Sequence, residues 1–304
     1  MPICIAPDSL PAMHDALSRA AVRGGAEIVP IEQATGLVWA DPFTTETFAD
    51  VYAAGTNLQW VQLPFAGIGQ FLPWLDDRVT WTCGKGVYAA PVAEHVVTLA
   101  LAGLRDLHRF IPNRTWGDRT GRNLIGATVT ILGGGGIAES LVELLQPFRC
   151  TINVVRRTAE PLAGVDRVLT QTDLHEVLPT TDVLVVAWAL TPETEQAVNA
   201  SVFAALPEHA WLVNVGRGAH VDHVALVEAL ASGAIAGAGL DVTEPEPLPD
   251  DHQLWQQPNC IITPHVGNTA EMGLPLLASR IEENVRRFLA GDELIGLVDV
   301  DAGY

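Results

Sequence analysis

Apolar and polar positions fall into two alternating rhythms along this chain, and the switching between them predicts its elements. Short β-branched runs of strand length are separated by stretches whose apolar residues recur every three or four positions. That succession predicts parallel sheets with helices on both faces, an α/β class. In the first third, strands are expected at 3–6, 27–30, 36–40 and 59–63 and helices over 9–24 and 44–53, giving one small sheet lobe. Pro91 suits the first turn of a helix, where its missing N–H is not needed, and Val92, Val96, Leu99 and Leu107 extend it as one long helix. A second lobe follows, with a strand at 128–132 and a helix presenting Ile137, Leu141, Leu144 and Phe148. Further strands are expected at 151–155, 183–188, 211–215, 237–242 and 260–263, making a doubly wound sheet. A last helix, with Leu277, Ile281, Val285 and Phe288 on one side, carries the chain back to the first lobe. Residues 1–90 and 270–304 would then form a discontinuous domain, with 91–269 inserted into it.

Composition narrows the partners. The 304 residues are 48% hydrophobic and 17% charged, so a buried core is well supplied and disorder is excluded as the main theme. With 17 Lys and Arg against 36 Asp and Glu, the formal charge is −19, a field that repels phosphate backbones and anionic headgroups. No nucleic acid and no membrane partner is expected. The longest apolar runs, 183–190 and 96–104, fall short of the roughly 18 residues that span a bilayer, and Pro7 and Asp8 interrupt any secretory signal. Cys4, Cys83, Cys150 and Cys260 are widely spaced, which reads as a reducing, cytoplasmic setting. His220, Asp222 and His223 mimic a metal cluster, but Asp222 reads as a helix N-cap and no further ligand follows, so no metal is expected.

The strand at 128–132 runs directly into Gly133, Gly134, Gly135 and Gly136, and a helix opens at Ile137 with the small Ala138 next. A dinucleotide requires this arrangement. Gly133 permits the tight turn, Gly135 lets backbone approach the pyrophosphate, and the helix N-terminus supplies free N–H groups and a partial positive charge. At the end of the next strand, an Asp or Glu usually accepts from the ribose hydroxyls of NAD. Here Arg156 and Arg157 stand instead, and two guanidiniums suit a 2′-phosphate, so NADP is expected, with NAD possible.

Three later segments put polar residues just past strands: LVNVGRGAHVD with Arg217, GLDVTEPEP with Asp241 and Glu246, and ITPHVGN with His265. Together with the glycine loop, VAEH at 92–95 and LTPET at 190–194, these motifs resemble the D-isomer-specific 2-hydroxyacid dehydrogenase family over nearly the whole chain. The resemblance implies two Rossmann-like lobes, a discontinuous substrate domain and an inserted dinucleotide-binding domain, with the reaction in the cleft between them. It implies Arg217, Glu246 and His265 as the catalytic set. Leu190, Val215 and Asp241 would lie along the cofactor, Asp241 against the nicotinamide carboxamide. It also implies a homodimer built around 91–123.

The chemistry asks for these residue types. A 2-keto acid that receives a hydride at C2 needs a carboxylate anchor, a carbonyl polariser and a proton donor. Arg217 would serve the first two roles through its planar fork, and His265 the third, with Glu246 fixing the imidazole tautomer. The family's substrate loop reads Gly-Ala-Gly-Val-Asp, whereas this chain has Phe65, Ala66, Gly67, Ile68 and Gly69. The backbone role of Ala66, Gly67 and Ile68 carries over, but the pocket shape set by Phe65 does not. Lys85 is the chain's single lysine and lies near the expected cleft, read chiefly as a loop residue. Trp116 falls where some relatives contact a neighbouring subunit, Trp255 is expected in the core, and Glu94 and His95 at the lobe junction. The expected activity is an NADP(H)-dependent oxidoreductase of small 2-keto or D-2-hydroxy acids such as glyoxylate or hydroxypyruvate. The alternatives are a cofactor-binding, corepressor-like regulator of the same fold and a dehydrogenase of a larger D-hydroxy acid such as 3-phosphoglycerate.

Overall fold

Residues 2–300 are described by the computed structural model. The first sheet is built from β1 (Pro2–Ala6), β2 (Glu27–Ile28), β3 (Gly36–Trp39), β4 (Trp60–Gln62) and β5 (Thr80–Thr82), all parallel, in the order β2-β1-β3-β4-β5. Parallel neighbours need crossovers, here α1 (Pro11–Arg23), the loop and short 3-10 turn before β3, α2 (Phe48–Ala54) and a 3-10 turn at Gly69–Trp74. Side chains alternate across the sheet: Ile3, Ile5 and Val38 join one core, and Cys4, Leu37 and Trp39 join the other.

The second sheet follows α3 (Ala89–Leu104) and α4 (Leu107–Phe110). Its strands and helices run β6 (Thr128–Leu132), α5 (Gly136–Leu145), β7 (Thr151–Val155), β8 (Arg167–Leu169), α6 (Leu174–Val177), β9 (Val183–Val186), α7 (Ala200–Ala205), β10 (Trp211–Asn214), α8 (His223–Ser232), β11 (Gly237–Leu240) and β12 (Cys260–Ile262). The order β12-β11-β10-β9-β6-β7-β8 is parallel throughout, so the winding reverses between β6 and β9. Finally α9 (Ala270–Ala290) packs Leu277, Ile281 and Val285 with Ile3, Ile5 and Leu17 of the first core. The chain thus divides into two units, Met1–Tyr88 with Thr269–Tyr304, and Ala89–Asn268. The ends of the expected outer domain, residues 1 and 301–304, lie outside the described residues. Among the described residues no helix is long and apolar enough to cross a membrane.

Trp211 shows why small residues recur in this sheet. A Cβ on Gly103 of α3 would lie 2.0 Å from the indole, and one on Gly237 of β11 also 2.0 Å, so both glycines make room for a fully buried ring. The single long helix expected through Leu107 stops at Leu104 instead. Arg122 N–H bonds the Leu104 carbonyl, Asp106 adopts φ 54°, and Leu107 falls in a separate short turn, largely exposed. In α5 the buried face is Ala138, Leu141, Val142 and Leu145, so Leu144, expected inside, faces outward. Strands β5 and β8 went unread because three residues opening on exposed Thr80 and Arg167 are too short to show a period.

Candidate active site

In a parallel sheet every strand ends at the same edge, and ligands of doubly wound folds bind outside that edge where the winding reverses. There β6 delivers Gly133–Gly136, β7 Arg156 and Arg157, β9 leads to Leu190, β10 to Val215 and Arg217, β11 to Asp241 and β12 to His265.

The glycine loop fits a dinucleotide. Gly133 has φ 128°, and a Cβ there would sit 2.5 Å from the Ala187 carbonyl oxygen, so only glycine makes this turn between β6 and the chain leaving β9. Gly135 is exposed, and a Cβ on it would meet nothing within 4 Å, leaving its face open to a ligand at the N-terminus of α5. Arg156 lies against the loop, its Cδ 2.8 Å from where a Gly134 Cβ would be, with its guanidinium 3.9 Å from Glu160. Arg157, beside it, is exposed.

His265 and Glu246 are brought together across two loops: Nδ1 lies 2.6 Å from Glu246 Oε1. A carboxylate only accepts, so Nδ1 carries the proton shared with Glu246, and Nε2 is the other ring nitrogen of this half-exposed side chain. His265 holds φ 53°, a left-handed conformation that a non-glycine side chain adopts at a cost, and its surroundings explain why it persists. Asp241 binds the turn at four places. Its carbonyl accepts the His265 N–H at 2.8 Å, Oδ1 accepts Thr263 Oγ1 at 2.6 Å and the Val266 N–H at 2.9 Å, and Oδ2 accepts the Gly267 N–H at 2.9 Å. His95 Nε2 stands 3.3 Å from the same Oδ1 and 3.0 Å from Thr263 Oγ1, so this α3 histidine supports the turn from behind. Burial alone would raise the Asp241 carboxyl, but the bonds from His95, Thr263, Val266 and Gly267 outweigh it and hold the group at about 2. With 3% of its side chain exposed, Asp241, expected against the nicotinamide carboxamide, is foremost the anchor of the histidine turn.

Arg217 is exposed, on a loop with buried supports. Asn214 Nδ2 donates to the Arg217 carbonyl at 3.0 Å while its Oδ1 accepts the Gly216 N–H at 3.1 Å. His220 Nδ1 accepts the Arg217 N–H at 3.0 Å, and the guanidinium Nη1 donates to the Gly216 carbonyl at 2.7 Å. The next residue joins this loop to that of Glu246: a Cβ on Gly218 would fall 1.9 Å from the Thr243 carbonyl carbon and 2.4 Å from the Glu244 nitrogen. Sequence reasoning missed the supporting roles of Asn214, Gly218 and His220. The signal available was a residue three positions past Arg217, where a capping-box acceptor belongs.

In the other unit, the loop at 64–69 is tied by its carbonyls. Tyr88 Oη donates to Pro64 O at 2.7 Å and the Gly84 N–H to Phe65 O at 3.0 Å, with the Phe65 and Tyr88 rings edge to face at 5.7 Å. Among the described residues no acceptor takes the N–H groups of Ala66, Gly67 or Ile68, and Ala66 and Gly67 are exposed. The Lys85 carbonyl accepts from Arg280 at 3.1 Å, tying its loop to α9. Asp222 caps α8 as expected, accepting the Val224 and Ala225 N–H groups at 3.0 and 3.1 Å. Among the described residues no group of three or more His, Cys, Asp or Glu is placed to hold a metal. Trp255 departs from expectation: it is 50% exposed because its indole N–H reaches out to Pro249 O at 3.0 Å rather than inward. Trp116 is 95% exposed.

Fold and edge together define an oxidoreductase class with a dinucleotide-binding sheet and an Arg, Glu and His set beside it. Residues 96–267 match the family model described as D-isomer specific 2-hydroxyacid dehydrogenase, NAD binding domain, and the chain belongs to that family of dehydrogenases. It is 33% identical to the human glyoxylate reductase/hydroxypyruvate reductase over 257 residues, 80% of this chain and 77% of that one. It is 36% identical to glyoxylate/hydroxypyruvate reductase A of Yersinia enterocolitica over 178 residues, spanning 58% of this chain and only 56% of that relative. Among solved structures, a D-isomer specific 2-hydroxyacid dehydrogenase from Xanthobacter autotrophicus Py2, in complex with NADPH and MES, superposes with a TM-score of 0.84. It is 28% identical and covers 100% of this chain and 99% of that one.

Proposed function

We propose that this protein reduces small 2-keto acids of the glyoxylate and hydroxypyruvate type to D-2-hydroxy acids with NADPH, NADH serving less well. The observation that carries this reading is the His265 and Glu246 pair at 2.6 Å, on the sheet edge that also holds the open glycine loop and Arg217. The names of the human and Yersinia relatives and the NADPH in the Xanthobacter structure point the same way.

Bound NADPH supplies the hydride that reaches C2 of the substrate. This chain's residues do the rest. Gly135, Gly136 and Ile137 would hold the pyrophosphate by backbone N–H groups, while Gly133 makes the turn with its own N–H on the Val155 carbonyl; Arg156 and Arg157 would face the 2′-phosphate, and Leu190 and Val215 would flank the cofactor. Arg217 holds the carboxylate and draws charge from the keto oxygen as the C=O bond becomes C–O. In the other unit, the loop of Ala66, Gly67 and Ile68 offers N–H groups that no acceptor among the described residues takes, chemistry suited to a carboxylate. His265 gives the Nε2 proton to the oxygen, leaving a neutral ring whose Nδ1–H stays on Glu246, so hydride and proton together convert ketone to alcohol. Oxidation runs the same steps backwards, with Nε2 as base. The segment at 91–123, where Ile111 and Trp116 stand exposed, is proposed as the homodimer contact.

The test is NADPH and NADH consumption over a panel of glyoxylate, hydroxypyruvate, larger 2-keto acids and phosphorylated ones. Turnover of the two smallest with NADPH is expected. Silence with every member would overturn the enzymatic reading, and preference for a phosphorylated acid would overturn the substrate class.

A further inference from the structure

We propose that His220 is a positioning residue for Arg217: its uncharged ring fixes the backbone that aims the guanidinium, and does so without placing an anion beside it. The inference rests on reading Arg217 as the anchor of the substrate carboxylate.

His220 is fully buried, and Nδ1 accepts the Arg217 N–H at 3.0 Å. An imidazole that accepts at Nδ1 and is uncharged carries its proton on Nε2. His220 ends the 3-10 turn Gly218–His220, with Arg217 at the N-cap position, so it occupies the third position of that turn. From that place a Glu or Gln ordinarily reaches back to the capping N–H. Here a Glu would satisfy the same N–H but bring a carboxylate within a few ångströms of the guanidinium, where it would compete for the charge that a substrate carboxylate needs. Imidazole supplies the acceptor alone. Burial pushes its pKa below the ordinary histidine value, outweighing backbone contacts with Ala189 and Arg217 that favour the charged form, with the Arg217 charge a smaller contribution in the lowering direction.

The surroundings are built around this ring. A Cβ on Gly216 would lie 2.9 Å from His220 Nδ1, so glycine is what leaves space for it. Trp188 meets the ring edge-on, with centroids 6.5 Å apart. Asn214, also buried, holds the Arg217 carbonyl at 3.0 Å, so both backbone polar groups of Arg217 are gripped by buried side chains. The guanidinium therefore departs from a fixed point, and the effect of loosening that point falls on substrate rather than on cofactor.

Three variants and one spectrum test this. His220→Leu removes the acceptor and is expected to lower kcat/KM for glyoxylate roughly tenfold, mainly through KM, the loss of about one hydrogen bond, with the NADPH Kd unchanged within about twofold. His220→Gln restores a neutral acceptor and should recover kcat/KM to within about threefold of wild type. His220→Glu restores an acceptor with charge and should do no better than Leu. An unchanged KM in His220→Leu, or recovery by Glu equal to that by Gln, would overturn the proposal, as would losses that merely track melting temperature across the three. Nitrogen NMR of the wild-type ring at neutral pH, assigned by its absence in His220→Gln, should show a neutral ring protonated at Nε2. An Nδ1–H tautomer or an imidazolium overturns the proposal. That spectrum also separates the two ideas: if no 2-keto acid is turned over, the functional reading fails, while the ring's tautomer still decides whether His220 holds Arg217 as stated.

Discussion

Gly218→Ala is the sharpest probe of how this site is assembled. The added Cβ would lie 1.9 Å from the Thr243 carbonyl carbon, 2.0 Å from its oxygen and 2.4 Å from the Glu244 nitrogen, all backbone atoms that no side-chain rotation can clear. Carbon atoms rest about 3.5 to 4.0 Å apart, so the two loops must separate by about 1.5 Å or more. Gly218 is buried, and overpacking of this kind costs about 1–3 kcal/mol. At about 2–4 °C per kcal/mol for a unit of this size, a fall in Tm of several degrees is expected. The catalytic loss should be larger than the stability loss. One loop carries Arg217 and the other Glu246, which holds His265 at 2.6 Å, and a 1 Å misplacement of a reacting group costs about a hundredfold in rate. Differential scanning calorimetry and glyoxylate-dependent NADPH oxidation measure the two effects on the same sample. A variant with wild-type kcat/KM and unchanged Tm would show that the loops do not need this close approach.

Four further outcomes are expected. His265→Asn, chosen because Asn tolerates the left-handed φ of 53°, should lower kcat by about 10²–10⁴ while the NADPH Kd stays within about threefold; a fully active variant would remove His265 from the chemistry. Arg156→Asp should move the ratio of kcat/KM for NADPH over NADH toward NADH, and an unmoved ratio would refute the phosphate role. Gly135→Ala, whose Cβ meets nothing in the protein within 4 Å, should leave the Tm of the cofactor-free protein unchanged but weaken NADPH binding; equal affinity would mean no ligand approaches that face. Asp241, at about 2 in the folded chain against an ordinary carboxylate value when unfolded, adds about 2 kcal/mol that is fully present above pH ~4 and lost as pH falls through 2. Denaturant titrations of wild type and Asp241→Asn should therefore differ at neutral pH and converge toward pH 2, and a constant gap would contradict this linkage.

Much of the site was legible because its chemistry is written in local words. Gly133 to Gly136 after a strand can be read directly, whereas Arg217 between glycines, Glu246 between prolines and His265 after Thr263 and Pro264 take their expected roles from the resemblance those short segments carry. What lay hidden was support from a distance. Asp241 anchors the turn of a residue 24 positions on, and His95 on helix α3 reaches Thr263, 168 positions away. The burial of Trp211 against two glycines and the outward turn of Trp255 were equally invisible, since indole content does not say which way a ring faces.

The sequence by itself determined the parallel α/β class and the dinucleotide loop, because period and glycine spacing are properties of neighbouring residues, while the catalytic set came from the family resemblance. Only the tertiary structure decided that Asp241 serves the histidine turn, that Gly218 welds two loops together and that His220 grips Arg217. Those facts depend on which atoms of distant segments come within about 3 Å, a distance set by packing and not by order along the chain.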